Sequence, residues 1–312
     1  MLEYFRTPNL PNRILYRLIP IFSNPQTLVN NTFLISLQMM RFLCIAALFS
    51  WASAQKCSGI YFNYKCFSLD VIKEGVSNIN QLTYNNHDNT LYFTFDQIAR
   101  VPSRALGFLN LNDRTAGIIE GIRNATGVSI DKRNNRIYVG GDDGLFFLHE
   151  NKVPERLPVV DNIKHLFVKD IVYYVNKNRQ AYKFEYGIVA LLPELQGQNV
   201  DKLIVDDDDN ILFLDNRTLF RIKLGTRAIN IHEKYEVDVL TTDYFYKPFI
   251  CTINGVYVYN KYKFALDRIS NIVNLRELTF TKSGEPIYAV VDNIMKLSYI
   301  RNQTNCYERV SD

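Results

Sequence analysis

Across residues 80–300 the chain repeats one local pattern. A short run alternates apolar and polar positions, a turn rich in Asn and Asp follows, and a denser apolar run with Tyr or Phe comes after it. Residues 82–95, 128–140, 166–175, 203–215, 239–251 and 278–290 each carry it, the third with a shortened turn and the fifth most loosely. Alternation at period two predicts strands, because successive side chains then point to opposite faces. With Leu91, Ile137, Val172, Leu212, Ile250 and Ile287 taken as equivalent, the repeat interval runs from 35 to 46 residues. Third strands are expected at 106–111, 145–149, 181–186, 219–224, 256–260 and 294–300, and fourth strands at 117–120, 188–192, 228–231 and 264–269.

Strand-only repeats of this length predict an all-β fold, a six-bladed β-propeller. A β-sandwich is the alternative, but it does not account for so regular a strand–turn–strand unit. The sixth unit ends after its third strand, and residues 67–73 precede the first unit without a sheet of their own. They are expected to supply the missing outer strand, so that the N-terminal strand of the mature chain closes the ring. Closure removes an open sheet edge.

Upstream of the repeats the pattern changes. Residues 40–54 hold one positive charge (Arg41), an apolar run from Phe42 to Trp51 and the small-residue site Ala52-Ser53-Ala54. These are the parts of a secretory signal peptide, and the run is too short to span a bilayer. We therefore expect a signal peptide over 39–54, a propeller domain over 55–312, and in 1–38 a gene-model extension or disordered leader. An uncleaved anchor from about residue 33 to 51 is the alternative reading; Gln38 and Arg41 inside that window weigh against it.

Charge now reads differently. The full chain has 36 Lys+Arg against 32 Asp+Glu, a net of +4, but residues 1–54 contain four arginines (6, 13, 17 and 41) and one acid, Glu3. Removing them leaves +1, which supports neither a nucleic-acid partner nor a membrane surface. Trp51, the single tryptophan, leaves with the signal. Cys57, Cys66, Cys251 and Cys306 remain, and an even count in a secreted chain implies disulfides. Cys57 with Cys306 is the preferred pair, with Cys66–Cys306 and Cys57–Cys66 close behind, and Cys251 reads as a buried free thiol. Asn124, Asn216 and Asn302 head glycosylation sequons.

Candidate chemistry is sparse. Asp206–Asp209 could suggest calcium, yet the run falls at the repeat's turn, where Asp and Asn serve as local caps. His87, His149, His165 and His232 share no metal-ligand spacing, so neither metal nor cofactor is expected. Residues 140–144, Gly-Gly-Asp-Asp-Gly, read as a hairpin connection. Position carries the site prediction instead. Loops leading into first strands, together with loops joining second and third strands, form one face. On that face we select Gln81, Arg100, Asp142, Lys164, His165, Arg179, Arg276 and Asp292 as ligand-binding candidates. Arginines suit carboxylates, and nearby Tyr and Phe would suit rings.

Lys56-Cys-Ser-Gly-Ile60, Asn89-Thr-Leu-Tyr-Phe93, Ile137-Tyr-Val-Gly-Gly-Asp-Asp-Gly-Leu145 and Val205-Asp-Asp-Asp-Asp-Asn210 follow the repeat grammar. In this order, after the signal, the chain resembles the insect ommochrome-binding proteins over 55–312. The resemblance implies a secreted haemolymph protein, a non-catalytic monomeric carrier of an ommochrome, an aromatic acidic pigment derived from tryptophan. The rival reading is a gluconolactonase-type metal-dependent lactone hydrolase, with Glu236, Asp238, Asn199 and Asp201 as its candidate ligands. A protein-interaction propeller is a third class. Secreted material is expected to begin at Gln55 and to lack tryptophan emission; Edman sequencing that starts upstream of Gln55 overturns the cleavage site.

Overall fold

The structure is a computed structural model that describes residues 59–98 and 103–300, with the side chain of Glu233 outside that set. Gln55–Asp312 forms one compact unit. The expected segments 1–38 and 39–54 lie outside the described residues, as do Arg100, Asn302, Cys57 and Cys306.

Strands β1 (Ile60–Phe62) and β2 (Lys65–Glu74) come first. The first unit is β3 (Gln81–Asn85), β4 (Thr90–Gln97), β5 (Ser103–Asn110) and β6 (Ala116–Ile119). The second is β7 (Gly127–Asp131), β8 (Arg136–Gly141), β9 (Gly144–Leu148) and β10 (Pro154–Arg156). The third comprises β11 (Ile163–Val168), β12 (Val172–Asn176), β13 (Ala181–Glu185) and β14 (Ile188–Leu191). A single 3-10 turn at Pro193–Leu195 separates it from β15 (Lys202–Val205), β16 (Asn210–Asp215) and β17 (Thr218–Lys223). Strand β18 (Ile229–Thr242) finishes that fourth sheet and opens the fifth, followed by β19 (Pro248–Thr252), β20 (Gly255–Asn260) and β21 (Ala265–Ser270). The last unit is β22 (Leu275–Phe280), β23 (Pro286–Val290) and β24 (Asn293–Tyr299), and β2 pairs antiparallel with β24. First strands touch in the order β3, β7, β11, β15, β18, β22, and β22 in turn touches β3. The chain is therefore all-β and propeller-like.

Burial explains why these segments are strands. Inner strands lie between neighbouring sheets and are covered on both faces, as β7, β12 and β19 show by being buried at every position. Such strands read as continuous apolar runs. Outer strands such as β6, β10 and β14 are largely exposed and contribute little core. Aromatic side chains supply much of the packing between sheets: Tyr92, Tyr174 and Phe213 are among the largest fully buried side chains.

The Asn- and Asp-rich turns do what the sequence implied. The Asp131 carboxylate accepts from the Arg133 and Asn134 amides at 3.0 and 3.1 Å. Asp206 accepts from the amides of Asp208 (3.0 Å) and Asn210 (2.7 Å). Asn89, Asn135 and Asp209 take the left-handed position of these turns, with φ of 55°, 53° and 59°. Asn and Asp tolerate that region better than other residues with a Cβ.

Three features differ from the sequence reading. β10 was not foreseen, because a short polar strand beginning at Pro154 carries no apolar signal and suits only an edge. β1 was missed because its turn to β2 uses Asn63 and Tyr64, both at positive φ (46° and 61°). A tyrosine there is not a recognisable turn residue. Residues 228–231 and the fifth unit's first strand form one strand, β18, rather than two. A bulge at Thr218/Leu219 absorbs the change of sheet, pairing Thr218 with Glu236 and Leu219 with His232.

Cys66 is 3% exposed and disulfide-bonded, while Cys251 is a buried free thiol. The hairpin at residues 140–144 forms as expected, pairing Gly141 with Gly144. Gly144 has φ +119°, and a Cβ there would lie 1.8 Å from the Val159 carbonyl oxygen. Gly187 also has positive φ, +80°, but open space around it. Gly187→Ala should therefore cost about 1 kcal/mol from backbone conformation alone. Gly144→Ala should cost on the order of 3 kcal/mol because strain and clash combine. Chemical denaturation of both variants measures the difference, and equal losses contradict this account.

Candidate functional site

Loops leading into β3, β7, β11 and β15 frame a cavity of about 450 Å³ lined by Asn80, Arg104, Asn124, Thr126, Lys164, His165, Asp201 and Lys202. That volume is within the range of small-molecule sites. Among the described residues its lining is polar, with three permanent cations and one carboxylate, and the only ring is His165. The expected Tyr and Phe are not in this lining. Aromatic side chains on the blade strands point between sheets, where burial of their large area stabilises the core most.

Polar links between first strands shape the floor. The Gln81 side chain donates through Nε2 to the Leu166 carbonyl at 2.9 Å, and its Oε1 accepts from the Leu166 amide at 3.0 Å. It reaches β11 from β3 by passing over Gly127, where a Cβ would sit 2.9 Å from the Gln81 oxygen. The Thr126 hydroxyl donates to the Ile163 carbonyl, and the Asn80 amide donates to the Thr126 carbonyl at 2.6 Å. Lower down, the Lys202 ammonium donates to the Glu277 carboxylate, linking β15 to β22. Lys132 donates to Thr242 Oγ1 (3.2 Å) and to the Asp243 carbonyl (2.5 Å), linking the turn after β7 to β18 and the turn that follows it. Buried polar atoms at the axis are thus paired with one another.

Electrostatics follow from these links. Burial pushes the Glu277 carboxyl above the usual range, and the Lys202 ammonium opposes that shift. Burial lowers His165 to about 3, with the Lys202 charge adding to the effect, so its imidazole is neutral. Its Nε2 lies 2.8 Å from the Leu203 carbonyl. Burial also lowers Lys132 to about 8 and pushes the Cys251 thiol up.

The predicted site residues separate into groups. Lys164 and His165 line the cavity together. Gln81 is buried beneath it as a cross-strand link. Asp142 accepts from Asn124 Nδ2 (3.1 Å) and Asn162 Nδ2 (2.6 Å), and so braces two cavity loops. Arg179 is held by Asp201 (2.8 and 3.0 Å) and Asp215 (2.5 Å), so it positions the cavity's carboxylate. Arg276 and Asp292 are exposed and outside the lining. Arg100 is outside the described residues. Asn80, Arg104 and Asn124 were missed as lining residues, since Asn124 reads as a glycosylation acceptor and Arg104 lies just before the expected third strand at 106–111. The Asn124 side chain accepts from the Arg104 amide at 3.1 Å. Asn216 is exposed.

Metal chemistry finds little here. Glu236 and Asp238 pair with Arg217 at 3.2 and 2.6 Å, Asp201 pairs with Arg179, and Asn199 is exposed. Asp207 and Asp208 pair with Lys261, and Asp209 pairs with Lys169. The residues that the lactonase reading nominates therefore do not fit a divalent cation, which needs several free oxygen donors around one point.

No family model matches the chain. The chain is 22% identical over 246 residues to the ommochrome-binding protein of Manduca sexta, covering 76% of this chain and 90% of that one. This is a distant family relationship. Among solved structures, a gluconolactonase from Xanthomonas campestris superposes with a TM-score of 0.59 at 10% identity, covering 79% of this chain and 96% of its own. The WD40 β-propeller domain of Doa1 gives 0.55 at 11%, covering 80% and 99%. A calcium-binding protein, regucalcin from Agrobacterium tumefaciens, gives 0.56 at 12%, covering 75% and 94%. These likenesses establish the propeller-like fold alone.

His165 makes the site's structure sensitive to acid. Its folded-state value of about 3 lies below the ordinary 6.5, so the unfolded chain binds the proton first. Stability from this group is complete above pH 6.5 and is lost as pH falls toward 3. His165→Gln should flatten the stability–pH slope between about pH 6 and 4 by up to ~1.4 kcal/mol per unit. Urea unfolding across that range reads the slope, and an unchanged slope contradicts the assignment.

Proposed function

We propose that the chain is a six-bladed propeller closed by β2 and that it acts outside the cell as a non-catalytic carrier of an ommochrome or similar aromatic acid. The distant relationship to an ommochrome-binding protein carries this reading. The lining supports it, because Arg104, Lys164 and Lys202 face the cavity and Lys164 is only loosely paired, which leaves a cation for an acidic ligand.

Lys164 is the preferred carboxylate contact. Its ammonium is 3.8 Å from Asp142 and its side chain is 40% exposed, so it is loosely held and accessible. Arg104 is tied to Asp96 at 3.0 Å, and Lys202 to Glu277. Stacking, expected from Tyr and Phe, falls instead to the Arg104 guanidinium, whose flat face suits a ligand ring. The neutral His165 and the Asn80 and Asn124 amides supply orientation rather than charge. A lactone hydrolase is the weaker reading, since a lysine occupies the axis and the candidate carboxylates are paired with arginines. Among the described residues no helix is long and apolar enough to cross a membrane.

Titration with a purified ommatin, followed by its visible band and by tyrosine emission, is expected to show saturable binding. Lys164→Met should weaken it about tenfold, the cost of one charge-assisted contact. Absence of binding to the unmodified protein defeats the proposal, as would lactone hydrolysis that depends on added divalent metal.

A further inference from the structure

Away from this cavity, one cluster of polar side chains has its neighbouring acids already engaged. Arg221 on β17 places its guanidinium 5.7 Å from the Tyr259 ring centre and 5.4 Å from that of Phe264. The His232 imidazole on β18 stands edge-on to Tyr259, with centres 5.5 Å apart. Arg221 Nε, His232 Nε2 and the Tyr259 hydroxyl are all buried without a hydrogen-bond partner among the described residues. Tyr259 is itself only 4% exposed.

Nearby carboxylates are engaged elsewhere. Arg217 takes Glu236 and Asp238, Lys261 takes Asp207 and Asp208, and the Asp206 carboxylate caps its own turn. No acidic group forms an ion pair with Arg221 among the described residues. A part-buried guanidinium between two rings, without a counter-charge, is costly. The orphaned atoms also share one character. Arg Nε–H can only donate, the Tyr hydroxyl has its proton to give, and His232 donates in the tautomer protonated at Nε2. An acceptor-only, negatively charged group is the partner whose chemistry suits all three donors and the arginine's charge, whereas a water molecule supplies no charge.

We propose that Arg221, His232 and Tyr259 form a binding site for a small aromatic carboxylate. The carboxylate is held by the three donors, and the ring lies against Phe264, which is 59% exposed. This site lies where β17 and β18 of the fourth sheet meet β20 and β21 of the fifth, and it does not depend on the reading of the cavity lined by Lys164.

Benzoate is the probe, with neutral benzamide as its isostere. The chain has four histidines, so the His232 ring nitrogens can be followed individually by heteronuclear NMR. Benzoate is expected to shift the His232 Nε2 resonance saturably, benzamide to leave it unmoved, and Arg221→Gln to weaken the response at least ~tenfold. Tyr259→Phe keeps the ring contacts and removes one donor, so it should weaken the response with the fold retained, even if the arginine variant proves unstable. Lys164→Met should leave the His232 response unchanged, which separates this site from the first. The proposal is overturned if benzoate and benzamide act alike, or if neither does anything.

Discussion

Strands that meet at an axis have no further layer behind them, so whatever polar groups they present there must find partners in one another. This constraint organises the molecule. β7, lying between β3 and β11, is buried at all positions, and Gln81 crosses it to hydrogen-bond Leu166 at both ends. Gly127 makes the crossing possible by leaving space where a side chain would otherwise stand. Further along, Lys202 reaches Glu277, and Lys132 reaches Thr242 and the Asp243 carbonyl. Removing one partner of such a link strands a buried charge or amide, which costs more than the link contributes by forming. Specific side chains therefore lock neighbouring sheets together, where apolar packing alone would set only their approximate distance.

The same links decide the chemistry at the cavity. Because a lysine and a glutamate meet on the inner strands, the axis holds a neutralised pair instead of a cluster of oxygen donors. Because Arg179 is clamped by Asp201 and Asp215, its charge shapes the wall and is not free for a ligand. Lys164, with the longest ion-pair distance at the site and a half-open side chain, keeps the most unspent positive potential. Binding of an acid is consistent with that field.

Much of the fold was legible because its signals are local. Alternation marked the strands, and Asp131 and Asp206 marked turns whose amides they cap. The pairing of β2 with β24 could also be anticipated, since a unit lacking an outer strand and an orphan strand at the other end of the repeat array imply one another. Elements that lack a local signal were missed: β10 is short and polar, and the turn between β1 and β2 uses a tyrosine at positive φ. Cavity residues were only half legible. Lys164 and His165 follow from their place just inside a first strand. Arg104 and Asn124 become neighbours of Lys164 only when separate sheets are packed side by side.

Sequence alone determined that the chain is built of repeated antiparallel strands, where most of them lie, and which turns join them. Short apolar runs and Asx capping act over a few residues, so they are written in order along the chain. Tertiary structure decided which charges are already spent. No spacing in the sequence marks Lys202 as the partner of Glu277, Arg179 as the clamp on Asp201 and Asp215, or Arg221 as the guanidinium set between Tyr259 and Phe264. Those pairings join residues distant in the chain, and ligand affinity depends on the charges and donors left over once they have formed.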